Sequence, residues 1–167
     1  MTDTAKRIQE AHSRLVRRLE EQAADVHRLT AELGEDDLAR RTVPDKWSLK
    51  ELVCHLWRVQ QVFLGRLEAM LSEDEPTLDS YQPEGDAEFE SMARGAAADC
   101  LRAFESGRDR LTERLQDLTP AEWRRRGRHP EYANYDVRFL VEYLTHHEAH
   151  HLYQMFQRRS PLGGIPH

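Results

Sequence analysis

Long apolar runs are missing from this chain, and so are blocks of basic residues, a cysteine framework and a glycine-rich phosphate loop. No stretch approaches the roughly 20 apolar residues of a spanning helix, and the mean hydropathy is -0.79, so no membrane association is expected. Lys and Arg are scattered rather than clustered, and the net charge is -6, which gives little attraction to a phosphate backbone. Nucleic acid is therefore excluded as a partner. The opening MTDTAKRIQEAHSRL lacks the apolar core of a secretory signal, so a cytoplasmic protein is expected. The two cysteines, Cys54 and Cys100, are too few and too far apart in sequence for a disulfide framework or a paired-cysteine zinc motif. Both are expected to be reduced thiols, Cys100 as a small buried hydrophobe among alanines and Phe104. There is no Gly-x-Ser-x-Gly elbow, no repeat of fixed period and no alternation that suggests strands.

What is present is helical periodicity. With 167 residues, 39% of them hydrophobic and 32% charged, the chain suits one domain over 1–160 with a loose tail at 161–167. Ile8, Ala11, Leu15, Leu19, Val26, Leu29 and Leu33 recur at helical steps and predict a long first helix. Gly34, Pro44 and Asp45 mark a connection. A second helix begins at Ser48-Leu-Lys-Glu51, a capping-box sequence, and carries Leu52, Leu56, Val59, Phe63, Leu67 and Met70 on one face. Residues 72–86 are acidic and hold two prolines and a glycine, which predicts a long exposed crossover between helices two and three. Phe89, Met92, Ala96, Cys100, Phe104, Leu111, Leu115 and Leu118 line helix three. Thr119-Pro-Ala-Glu122 starts a short extra helix, and helix four runs from about Asp136 to Arg158. Four helices with one apolar face each bury those faces best as an all-α four-helix bundle.

Chemistry is concentrated in histidine. Of nine histidines, four fall in THHEAHH. His147 with His151 and His146 with His150 are each one turn apart, so either pair can converge on one metal ion. His147 and His151 continue the line of Val137, Leu140 and Leu144 and should face inward. His146 and His150 align instead with Phe139, Tyr143 and Tyr153, a stripe expected at a rim, a pocket wall or a subunit contact. The third ligand should come from another helix, and His55, beside Leu52, Leu56 and Val59, is the candidate. Three neutral imidazoles buried together leave costly unpaired nitrogens unless a shared metal takes their lone pairs. Three ligands also leave room at the ion for water or substrate. Glu148, Glu51 and Glu142 are candidate acceptors for the outer ring nitrogens, and Glu148 is also the candidate general base. His12 and His27 are expected to be solvated or at the rim.

The segments DKWSLKELVCHLWRVQ and, about ninety residues later, LTHHEAHHLYQM resemble the DinB/YfiT-like superfamily of metalloenzymes. The resemblance covers nearly the whole chain. It implies a usually dimeric four-helix bundle with a divalent ion, commonly zinc or nickel, held by one histidine of helix two and a His-x-x-x-His pair of helix four. Carried over to this sequence, the ligands are His55, His147 and His151. Many members follow the second His-His with Arg-Gly-Gln, where this chain has Leu152-Tyr153 before Gln154. The resemblance implies either a transferase that uses a low-molecular-weight thiol in detoxification or stress, the reading preferred here, or a metal-dependent hydrolase of YfiT type. A non-catalytic metal-binding or interaction module is the reading from outside enzymology. A small-molecule substrate and a homodimer are expected.

Overall fold

The computed structural model describes residues 3–166, so Met1, Thr2 and His167 of the expected ends lie outside the described residues. Four long helices make up the bundle: α1 (Asp3–Thr30), α3 (Leu49–Ser72), α5 (Ala97–Gln116) and α6 (Val137–Arg159). The short helices α2 (Glu35–Ala39) and α4 (Ala87–Arg94) precede α3 and α5. Helix α3 packs on α5 and α6, and α1 packs on the same two. The first two long helices, α1 and α3, therefore stand on one diagonal and the last two, α5 and α6, on the other.

The expected helix starts are present. Ser48 accepts from the Glu51 N–H while the Glu51 carboxylate accepts from the Ser48 N–H, and Asp136 caps α6 by accepting from the Phe139 N–H. Such caps satisfy donors that a helix start otherwise leaves orphaned. The predicted inward stripes supply the core. Leu19, Phe63, Leu67, Leu111, Leu115, Leu140 and Leu144 fill one half, while Leu52, Leu56, Phe104 and Met155 fill the other.

Several expectations are corrected. Helix three is interrupted: α4 ends at Arg94, and Gly95 and Ala96 are extended before α5 begins. The short extra helix is a single 3-10 turn, Glu122–Arg124, with Thr119 and Glu122 bonded reciprocally. A small antiparallel ribbon pairs β1 (Arg126–Gly127) with β2 (Tyr135–Asp136), although no strand is predicted. Two-residue strands are too short for alternation to reveal. The crossover is not wholly exposed, because Leu78 is buried and its N–H donates to the Arg128 carbonyl. The tail is docked: Ser160–Leu162 form a 3-10 turn, Leu162 and Ile165 pack on the core, and Arg159 donates to the carbonyls of Leu162 and Gly164. His12 is buried under the Trp123 ring, stacked at 4.1 Å, whereas His27 is exposed as expected. Cys54 and Cys100 are joined in a disulfide with Cα atoms 5.5 Å apart, where free thiols are expected. Sequence distance is a poor guide here, because α3 and α5 bring the two residues side by side.

Candidate metal centre

His55 sits two turns into α3, one residue after Cys54, on the face that meets α6. His147 and His151 lie on consecutive turns of α6. The seam between the two helices brings the three rings together: His55 Nε2 is 3.4 Å from His147 Nε2, and His147 Nε2 is 3.2 Å from His151 Nε2. One ring nitrogen from each of the three lies within 4.8 Å of the others. Nitrogens bound to one tetrahedral ion at about 2.0–2.1 Å stand about 3.3 Å apart, so the spacing fits a common cation.

The electrostatics favour neutral, ligand-competent rings. Burial, with smaller contributions from His151 and His147, pushes His55 down to about 3. Burial, then His151 and His150, pushes His147 down to about 4. His151 is also lowered, chiefly by burial, although its bond to Gln154 opposes the shift. At neutral pH all three therefore keep their lone pairs.

A polar contact that sequence reasoning missed orients His151, the third candidate ligand. Gln154 Oε1 lies 2.8 Å from His151 Nδ1 and accepts its N–H, leaving Nε2 free to bind a cation. The other end of the same amide donates to His150 Nε2 at 3.0 Å. Gln154 is one turn beyond His150, the spacing that could have pointed to it. Nδ1 of His55 and of His147 is buried without a hydrogen-bond partner among the described residues.

The three glutamates expected as acceptors are engaged elsewhere. Glu51 serves the Ser48 cap and pairs with Arg41. Glu142 faces Arg138 at 3.6 Å. Glu148 is buried at 1% exposure, and Arg108 donates to both of its carboxylate oxygens. Arg108 is held in turn by Gln60 Oε1 and the Leu19 carbonyl. Adjacent helix residues point about 100° apart, so Glu148 cannot share the direction of His147.

Aromatic rings enclose the triad. Trp47 lies 4.9 Å from His55 and 6.5 Å from His151 between ring centres; Phe89 meets His55 edge-on and Tyr81 stacks over it, both at 6.2 Å. The expected stripe divides: Phe139 and Tyr143 are half-buried against the core, whereas Tyr153 is exposed. His146 and His150 are both exposed.

Two cavities reach the triad. One, of about 60 Å³, opens on His147 and is walled by Phe63, Tyr81, Tyr143, Arg66, His129 and Glu131 among others. The other, of about 220 Å³, opens on His151 and is lined by Asp45, Lys46, Trp47, Gln154 and Arg158.

A sequence profile described as the DinB superfamily matches residues 18–155, a span that contains all three histidines and Gln154. The chain belongs to the DinB superfamily. Among solved structures it is similar to YfiT from Bacillus subtilis, described as a probable metal-dependent hydrolase with an unusual four-helix bundle topology. The two share 18% identity over 91% of this chain and 87% of the other, with a TM-score of 0.78, which shows a common fold. Among curated proteins, none matches this sequence. No helix of the described residues is long and apolar enough to cross a membrane.

Proposed function

We propose that this DinB-superfamily protein binds one divalent metal ion, zinc or nickel, through Nε2 of His55, His147 and His151, and uses it to transform a small molecule. The observation that carries this reading is the convergence of three neutral imidazole nitrogens at 3.2 and 3.4 Å. A divalent ion held by three imidazoles supplies Lewis acidity, lowering the pKa of a water or thiol at its remaining position. Gln154 holds the tautomer and direction of His151, and the shell of Trp47, Phe89 and Tyr81 limits access of bulk water. Glu148 acts in this reading as the partner of Arg108 and not as a base.

Hydrolysis is supported by the likeness to YfiT. Transfer involving a low-molecular-weight thiol is the second reading, supported by the cavity beside His151, whose Lys46 and Arg158 suit an anionic cosubstrate. A homodimer is supported by Tyr153 and Phe156, which are 62% and 50% exposed, three residues apart on α6. We take residues 1–160 as one domain, with the profile match over 18–155 in support.

The decisive experiment is metal analysis of untagged protein beside its His151→Ala variant. Near-stoichiometric metal in the parent and little in the variant is the expected result, and equal metal in both removes the site. Metal-loaded protein is then assayed with ester and amide substrates, and separately with electrophiles plus thiols. Absence of turnover in both panels would leave a non-catalytic metal-binding module.

A further inference from the structure

The two mouths of the triad differ in charge. On the His147 side, Arg66 is engaged by the Asp79 carbonyl and the Tyr135 hydroxyl, and Glu131 lines the same space. On the His151 side, Lys46 and Arg158 face a single carboxylate, Asp45. Arg158 is only 6% exposed, yet no carboxylate lies within ion-pair distance of it or of Lys46 among the described residues. Its Nε donates to the Trp47 carbonyl at 3.1 Å, and neither Nη group has a hydrogen-bond partner there. Arg108 spends its guanidinium on Glu148, and Arg66 and Arg159 spend theirs on carbonyl or hydroxyl oxygens, whereas the Nη groups of Arg158 are not sealed in the core and remain open to the cavity. The last turn of α6 favours a cation at this position but supplies no partner for the Nη groups.

We propose that the cavity between Trp47 and His151 is an anion-recognition subsite in which Arg158, helped by Lys46, takes a carboxylate, sulfonate or phosphate group of the substrate or cosubstrate. The proposal rests on the metal reading above, because the subsite gains its meaning from lying against a ligand of the ion. Arg158 suits an oxyanion well, since its planar fork can donate two parallel bonds to one such group while Nε stays on Trp47. The carbonyl of Trp47 fixes that fork beside the ring that covers His55, so the anion and the reacting position are held in one frame. The compounds this site should accept therefore carry an anionic group a short chain away from the atom that reaches the ion. Neutral analogues of the same length should bind less tightly.

The test uses untagged full-length protein loaded with Co(II), whose visible spectrum reports the triad and, separately, a thiolate on the ion. Mercaptopropanesulfonate and mercaptopropanol serve as probes, because they differ in charge and a sulfonate is itself a poor metal ligand. The parent is expected to bind the sulfonate roughly tenfold more tightly, as a charge-assisted pair allows. Arg158→Gln should abolish most of that preference, while the Co(II) spectrum without thiol and the affinity for mercaptopropanol stay as in the parent. Lys46→Gln, at an exposed position that folding tolerates, should reduce the preference by a smaller factor and weaken its dependence on salt. Equal affinities for the two thiols on an intact Co(II) spectrum overturn the anion subsite alone, as does a preference that survives in both variants. Absence of a Co(II) spectrum from the parent overturns the metal reading and this proposal with it. If Arg158→Gln does not fold, Lys46→Gln and the salt dependence decide.

Discussion

At the scale of single residues, the centre depends on which side chains are free and which are committed. Glu148 neighbours a candidate ligand in sequence but spends both oxygens on Arg108 inside the core. Glu148→Gln should therefore leave metal content near that of the parent while destabilising the fold by about 3–5 kcal/mol, because Arg108 would stay buried without its counter-charge. Urea unfolding measures this, and a loss below about 1 kcal/mol would show that Arg108 is relieved in some other way. Gln154 has the opposite profile. Gln154→Ala should change stability little but weaken metal binding by about 10–100-fold, the usual effect of removing the group that orients a ligating histidine. Competition with a chromophoric chelator reads the change, and unaltered affinity would deny Gln154 that role.

At the scale of elements, the seams decide function as much as the helices do. Helices α3 and α5 approach closely at Gly107, where an added Cβ would collide with Gln60 Nε2. Gln60 cannot swing away cheaply, since it donates to the Phe104 carbonyl and accepts from Arg108. A helical Gly→Ala change normally gains about 1 kcal/mol, but overpacking costs about 1–3 kcal/mol, so Gly107→Ala should be destabilising overall. In a Gln60→Ala background the same change should become stabilising; persistence of the penalty in that double variant would place the clash elsewhere. The Cys54–Cys100 disulfide ties the same two helices across 46 residues of chain. On the chain-entropy account such a link contributes about 4 kcal/mol, so reductant should lower the urea midpoint clearly. Two titratable thiols in protein unfolded without reductant would contradict the crosslink.

At the scale of the whole molecule, three histidines held neutral by burial make the metal-free fold sensitive to acid. In the unfolded chain each takes up a proton near 6.5, whereas in the folded state His55 and His147 resist until about 3 and about 4. The unfolded state thus binds more protons as pH falls, and stability declines with acidification. The contribution is fully present above about pH 6.5 and is lost progressively below it, toward pH 3–4. Thermal midpoints of metal-free protein should fall across that window, and more gently in His55→Leu. A profile of equal slope in that variant would assign the acid response to other groups, such as His12, whose pKa burial also lowers.

The four apolar stripes, the Ser48 and Asp136 helix starts, and the inward direction of His147 and His151 were legible in the order of amino acids alone, because caps and periodicity are local physics acting over a few residues. Packing in three dimensions settled what remained. It set which helices stand side by side, and so that Cys54 meets Cys100 and that Leu78 and the tail dock on the core. It also took Glu148 to Arg108, turned Gln154 onto His151, and left Arg158 beside the triad without an ion-pair partner among the described residues. Most of these outcomes depend on contacts between residues tens of positions apart, whose pairing follows from how whole faces pack, and no local pattern encodes it.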